Sequence, residues 1–342
     1  VRDDLSLFPA GWPVCAQEMT PSARWQVRNP WQNGLPFLGA VAILTLMPFL
    51  LGRFGVAFLM EILIWGLLAM AYDFLYGYTG YLSLGHSIFF GVGVYGCTLS
   101  VRRWGAAVWL ALLIALAASA VFATVIGYFA VRVRGHGFII VTVVAATVIT
   151  LIALAWKSVT GGDDGLTYSR PPLDLGLVEF DLGHQLTRYY FVLFFVALSF
   201  FLCWKVLHSP LGRVFQLIRE NEPRASFVGY NVNRYKLLSF VISGVLAGLS
   251  GALYSLHVGY ASAEFFSWLI SAEAVVWTLF GGAGTLYGAL IGTGTLLYLR
   301  EYLSGQWAFT YPIILGAIII VVVMFAPLGL VGTAKRLIAR FG

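Results

Sequence analysis

From about residue 36 to residue 326, apolar runs too long for β-strands follow one another with few interruptions. Runs of this kind must be buried in a very large core or must face lipid. Only 11% of the 342 residues are Asp, Glu, Lys or Arg, against about 25% in an ordinary soluble protein. That leaves too few charges to cover a soluble globule. A hydrophobic content of 60% also excludes a disordered chain. The remaining fold class is all-α: a polytopic helical membrane protein, each crossing needing about 20 apolar residues.

The runs give about ten transmembrane segments: 36–51, 54–76, 86–101, 105–131, 137–156, 189–207, 236–258, 268–280, 284–302 and 309–326. An even number puts both termini on one side. With the N-terminus inside, inner segments hold fourteen of the 21 Lys and Arg, which predicts cytoplasmic termini; Arg102 and Arg103 fall on the outer side. The organisation is then a cytoplasmic N-terminal segment (1–35), one transmembrane domain (36–326) and a basic cytoplasmic tail (327–342). Residues 1–35 are polar and contain no compact apolar core, and a native start near Met19 is expected. The longest outer loop, 157–188, is rich in Gly, Pro and acids, with Asp163 and Asp164 at its start. The longest inner loop, 208–235, is basic.

Several chemistries lack their residues. The net charge of +6 reports inner loops rather than nucleic-acid binding. The four lysines follow Trp156, Trp204, Tyr235 and Ala334, so none completes a Gly-Lys phosphate loop. Gly91, Gly93 and Gly96 form a Gly-x-Gly-x-x-Gly inside an apolar run with no acid about 20 residues on, which predicts helix packing rather than a dinucleotide site. Cys15, Cys97 and Cys203 are far apart, and no catalytic group, metal or cofactor is expected.

Two spans are short and interrupted by glycine: "YGYTGYLSLGHSIFFGVGVYG" (76–96) and "FGGAGTLYGALIGTG" (280–294). Irregular backbone at membrane depth survives only where protein or a water-filled cavity satisfies it, and paired breaks in two halves of a chain point to a transport route. Gly80, Ser83, Gly85, Gly284 and Gly288 are the candidates to line it, with close helix packing through small residues as the alternative. Asp73, His86 and Glu273 lie at or beside the breaks. Ionisable groups are expensive in lipid and belong in the bundle interior. Asp73 either caps the following turn or meets solute; His86, near Ser83 and Ser87, is either structural or pathway-lining.

In the inner loop, Arg213, Leu217, Glu220 and Arg224 recur at helical spacing. Asn221 is a candidate N-cap with Pro223 in the first turn, and Gly229 ends that short helix. Such a helix is either a docking knob for another protein or a solvated amphipathic loop.

The stretch "IRENEPRASFVGYNVNRYKLLSFVISGVLAGLSGALY", taken with "GYTGYLSLGHSIFFGVGVY", "VTGGDDGLT", "FGGAGTLYGALIGTG" and the terminal "FAPLGLVG", resembles the permease subunits of branched-chain amino-acid ABC importers, of LivM type. The same family includes urea and short-amide permeases. The resemblance covers about residues 36–332 and makes 36–326 a permease domain. It implies a second related permease subunit, two ATP-binding subunits, a periplasmic solute-binding protein and a place in a bacterial inner membrane, with no bond chemistry in this chain. Glu222, Ala225 and Gly229 match the ATPase-docking element, although Pro223 and Arg224 replace its usual small residues. Glu222 is expected to pair with a basic ATPase residue, Arg219 or Arg224 with an acidic one, and Glu220 lies in the same coupling set. Asp163 and Asp164 are expected to meet the binding protein. Branched-chain amino acids lead as substrate, with urea or short amides and aromatic or small organic acids open. The rival of a different class is a stand-alone channel or proton-coupled carrier using Asp73 and Glu273.

Overall fold

The computed structural model describes residues 31–133, 135–170, 172–174, 179–325 and 329–333. The expected N-terminal segment up to residue 30, the Met19 start and most of the basic tail lie outside the described residues. Residues 1–46 and 47–342 form two units, and the contacts below are within the second.

Each of the ten apolar segments contains one helix: α1 (Trp31–Leu50), α2 (Arg53–Thr79), α3 (His86–Trp104), α4 (Val108–Ala130), α5 (His136–Ala155), then, after the single turn α6 (Lys157–Thr160), α7 (Gln185–His208). Past the short helices α8 (Pro210–Glu220) and α9 (Glu222–Phe227) come α10 (Val232–Val258), α11 (Trp268–Gly281), α12 (Leu286–Gln306) and α13 (Tyr311–Phe325). Five of them, α2, α4, α5, α7 and α10, are each long and apolar enough to cross a membrane. The successive helices α11 and α12 pass the same test only as a pair, bent by 108° at the residues between them. The protein is therefore all-α, with five or six membrane-capable units.

The core is built around α10, which packs along α2, α3 and α4. Small residues let these backbones approach. A Cβ on Gly93 would collide with the Gly248 carbonyl, one on Gly251 with the Phe90 carbonyl, and one on Gly96 would lie 2.9 Å from Ala115 Cα. The Gly-x-Gly-x-x-Gly string is thus a helix-crossing surface, as its apolar context predicts. Hydroxyls lock the same seam: Ser250 donates to the Ile64 carbonyl at 2.7 Å, and Thr98 and Ser255 are hydrogen-bonded at 2.8 Å. Beside it Trp65 stacks on Phe90 and meets Trp277 edge-on, at centroid distances of 4.9 and 5.6 Å.

Among the described residues, strands occur only in loops. β1 (Leu166–Thr167) pairs antiparallel with β4 (Tyr260–Ala261), and β2 (Leu173–Asp174) pairs antiparallel with β3 (Glu179–Phe180) in a separate two-stranded sheet. Arg170 donates to the carbonyls of Leu256, His257 and Val258 at 2.9, 2.7 and 3.0 Å. Those are the orphan carbonyls of the α10 C-terminus, and a cation there also suits the helix dipole. The loop after residue 157 is therefore pinned to the bundle. Tyr168 adds a bond to Ser255 at 2.9 Å, and burial pushes its phenol well above the usual tyrosine range.

Overpacking a tight crossing costs about 1–3 kcal/mol or more. Gly93→Leu is expected to lower the melting temperature of the detergent-purified protein clearly. Gly316→Ala, where a Cβ meets nothing within 4 Å, is the matched control. Equal melting of both variants and the parent would show that the α3–α10 crossing is not tight.

Candidate functional site

Both glycine-marked breaks are non-helical links: residues 80–85 between α2 and α3, and residues 282–285 between α11 and α12. Gly80 ends α2 in a left-handed turn. Gly284 has φ +81°, a conformation that a Cβ would strain.

Each break takes at least one bond from the half of the chain that contains the other. At the first, Leu84 N–H donates to Thr142 Oγ1 of α5 at 3.1 Å, and Ser87 N–H donates to Ser271 Oγ of α11 at 2.7 Å. Gly85 N–H is taken by Ser83 Oγ at 3.2 Å. At the second, Gly284 N–H donates to Asp73 Oδ1 of α2 at 2.7 Å, and Thr278 on α11 donates to the Ala69 carbonyl of α2 at 3.1 Å. These bonds satisfy amides that the interrupted helices leave free, which lipid could not do.

The structure places the residues singled out in the sequence as follows. Asp73, Ser83 and His86 have no accessible surface in the chain. Asp73 caps the second break, not the turn that follows it in sequence. His86 Nε2 meets Ser243 Oγ of α10 at 2.6 Å, and Ser243 in turn donates to the Ala71 carbonyl at 2.5 Å. The imidazole is walled by Tyr72, Phe89 and Phe240. Gly85 and Gly288 are also buried. A Cβ on Gly85 would sit 3.2 Å from Thr142, and one on Gly288 would collide with Thr285 Oγ1. Glu273 is different: it is exposed on α11. So are Tyr287, Thr295, Tyr298 and Tyr302 on α12, whereas exposed positions on α4 and α5 include Leu113, Val121, Val125, Ile140, Val144 and Leu151.

The inner loop folds as α8 and α9 joined at Asn221, whose side chain accepts the Arg224 N–H at 3.0 Å. Gly229, at φ +97°, follows α9 and lets the chain reverse into α10. Val214, Ile218, Ala225 and Val232 form a small core, with Tyr81, Leu217 and Tyr235 against it. Ala225 is therefore inside the loop. Glu222 is likewise engaged within the chain. Its Oε1 accepts from Lys236 Nζ at 2.6 Å and its Oε2 from the Tyr81 hydroxyl at 2.7 Å. The Lys236 side chain is only 2% exposed and that of Glu222 is 30% exposed, so the pair is buried on the lysine side. Arg219 donates to the Gly77 carbonyl near the end of α2. Glu220 and Arg224 are exposed, as are Asp163 and Asp164 in the loop at the other end.

The residues that project from α9 are ones the charge-based reading passed over: Phe227 is 89% exposed and Val228 69%. Beside them an open groove of about 340 Å³ is lined by Gly229, Tyr230, Asn231, Arg234, Tyr235 and Leu238. The signal available in the sequence was an apolar pair, Phe227-Val228, in the mostly polar stretch between Ile218 and Val232. A second groove of about 550 Å³, lined by Arg53, His184, Gln185 and Arg188 among others, includes none of the residues at the breaks.

A bundle of apolar helices with two cross-braced breaks and a folded inner loop defines a polytopic helical membrane protein of the transporter class. Residues 55–326 match the family described as branched-chain amino acid transport system, permease component, and the chain belongs to that family. It is similar to the high-affinity branched-chain amino acid transport system permease protein LivM of Salmonella typhimurium and to LivM of Escherichia coli K12. Each is 27% identical over 315 residues, covering 86% of this chain and 74% of the relative. It is also similar to the corresponding permease protein LivH of Escherichia coli K12, 23% identical over 286 residues, covering 78% of this chain and 91% of the relative. No solved structure matches. The chain is thus a membrane permease component.

Leaving a buried amide without its acceptor costs about 1–3 kcal/mol. Asp73→Ala is expected to lower the melting temperature in detergent and to speed hydrogen exchange at Gly284; Asp73→Asn, which keeps an acceptor oxygen, does so less. Identical behaviour of Ala and Asn variants would remove the Asp73–Gly284 bond as the reason for this acid.

Proposed function

We propose that this chain is the LivM-like membrane-spanning subunit of an ATP-binding-cassette importer for branched-chain amino acids. It works with a second related permease subunit, two ATP-binding subunits and a periplasmic solute-binding protein, in a bacterial inner membrane. The observation that carries the reading is the folded, tipped inner loop, α8–α9, in a chain that belongs to a permease family and has no phosphate-binding loop of its own. Similarity to both LivM and LivH, two permease proteins of one transport system by name, supports a partner of the same kind.

The topology proposed is ten membrane segments with both termini cytoplasmic, the 36–326 domain between them, 208–235 inside and 157–188 outside. Contacts segregate in a way that supports it. Those of Arg219, Glu222, Asp73 and Gly284 gather at one end. Those of Arg170, Tyr168 and β1–β4 gather where α10 ends. Labelling of single cysteines at Ser169 and Ser226 in intact spheroplasts tests this. Ser169 is expected to react with an impermeant reagent and Ser226 only after lysis, and the reverse pattern defeats the topology.

The route is assigned to the outward face of α11 and α12. An exposed acid and three tyrosines are costly against lipid and suit a wet cavity or the second permease subunit. Glu273 and the link at Gly284 then lie on that face, while Gly80, Ser83, Gly85, His86, Asp73 and Gly288 hold its shape. On the inner side, Phe227, Val228 and Gly229 form the tip that enters the ATPase, with Glu220 and Arg224 at its rim. On the outer side, exposed Asp163 and Asp164 steer the binding protein.

The test is leucine uptake and ATP hydrolysis by the assembled importer in proteoliposomes. Phe227→Glu and Gly229→Val are expected to lose most uptake together with binding-protein-stimulated ATPase, and to release the ATP-binding subunits on purification. Asp163→Asn with Asp164→Asn is expected to weaken stimulation more at low salt than at high salt. Uptake without any ATP-binding subunit defeats the importer reading in favour of a stand-alone carrier. Normal ATPase docking in both tip variants defeats the assignment of the coupling loop.

A further inference from the structure

We infer that Arg219 and Glu222 are two intramolecular transmission contacts, each tying the inner loop to one of the two helix breaks, so that a displacement of α8–α9 reaches both breaks at once. The inference rests on the proposal that 208–235 is the coupling loop, and it goes beyond it. It gives these two charges contacts within the chain: Arg219, although exposed, reaches the Gly77 carbonyl, and partly exposed Glu222 reaches Tyr81 and Lys236.

The first contact runs to the 80–85 link. Glu222 opens α9 and accepts from Tyr81 at 2.7 Å and from Lys236 at 2.6 Å. The Lys236 ammonium also lies 4.6 Å from the centre of the Tyr81 ring, near enough for a cation–π contact. Three elements therefore share one junction: α9, the first turns of α10, and the link between α2 and α3. Lys236 is buried, so α9 cannot withdraw Glu222 without leaving an unpaired charge in a low-dielectric site. A push on α9 is instead carried into α10 and into Tyr81. Tyr81 is held a second way, by packing against the small core of the loop.

The second contact runs to the 282–285 link. Arg219, in the last turn of α8, donates to the Gly77 carbonyl of α2. Its stem covers Gly80, where a Cβ would stand 3.2 Å from Arg219 Cγ, and its guanidinium lies 3.3 Å from the place a Cβ would take on Gly284. Gly284 itself is bound through its N–H to Asp73, one turn before Gly77. A Cβ on Gly77 would be 2.5 Å from Gly284 N, so the end of α2 and the second break touch with no room between them. Arg219 closes that contact from the cytoplasmic end.

Arg219 and Glu222 are separated in sequence only by Glu220 and Asn221, the joint at which α8 becomes α9. The two contacts thus leave from the same joint and diverge to the two breaks. A loop that only docked a partner would need no such pair, since its own small core already folds it.

The test uses three variants of the full chain, read by amide hydrogen exchange on the purified protein and by uptake per ATP hydrolysed in the assembled importer. Tyr81→Phe removes one oxygen from the first contact, and Arg219→Met removes the guanidinium from the second. Glu222→Gln with Lys236→Met removes both charges of the ion pair together, so that none is left buried alone. Tyr81→Phe is expected to speed exchange in 80–85 about five- to tenfold and to leave 282–285 unchanged, and Arg219→Met to do the opposite. All three are expected to lower uptake per ATP, and Arg219→Lys, which keeps a donor, is expected to recover part of it. Unchanged exchange at the named break, or faster exchange with normal uptake per ATP, overturns the inference while the coupling-loop assignment stands. If the tip variants Phe227→Glu and Gly229→Val dock the ATPase normally, the assignment itself falls and the inference falls with it.

Discussion

A helix interrupted inside hydrocarbon releases backbone amides that only protein can satisfy, and the rest of this structure is arranged around that constraint. The solution is reciprocal. Asp73 of α2, the helix that leads into the first break, accepts the amide of Gly284 in the second. Ser271 of α11, the helix that leads into the second break, accepts the amide of Ser87 just past the first. Neither break can change shape without loosening the element that feeds the other. Two local irregularities become one connected region.

The inner loop is attached to this region rather than hung from it. Its amphipathic helix α8 buries Val214, Phe215 and Ile218, with Phe215 edge-on to Phe74 of α2 at 5.9 Å. Its polar ties at Arg219 and Glu222 end on α2, on the 80–85 link and on α10. Polar contacts in a partly dry site are stiff, because breaking them exposes groups that have no water to turn to. Phe227 and Val228 are left exposed at the end of α9.

The opposite end of the molecule uses a different device. Arg170 reaches three carbonyls at the end of α10, and β1 pairs with β4 just beyond it. The acidic turn at Asp163 and Asp164 is thereby displayed from a fixed base. α10 is thus tied at its C-terminal end by Arg170 and near its N-terminal end, through Lys236, to α9.

Much of this was legible before any coordinates. Apolar runs far longer than strands, with too few charges to cover a globule, leave only helices in lipid, so the all-α class followed from composition, and each apolar run holds a helix, although only five or six units among the described residues are long and apolar enough to span. Asn221 as a cap, Gly229 as a stop and the two glycine breaks were legible because cap and turn chemistry act over three or four residues. Partners distant in sequence were not. Nothing local says that Asp73 will serve a glycine 211 residues away, that Glu222 will face Lys236 and Tyr81 instead of another subunit, or that Ala225 will point inward. Those outcomes depend on which helix faces meet, and a charge read along the sequence looks the same whether it ends in solvent, in a partner or against its own chain. Tertiary packing decided them, because at low dielectric a charge or a free amide must take the nearest partner the fold brings to it.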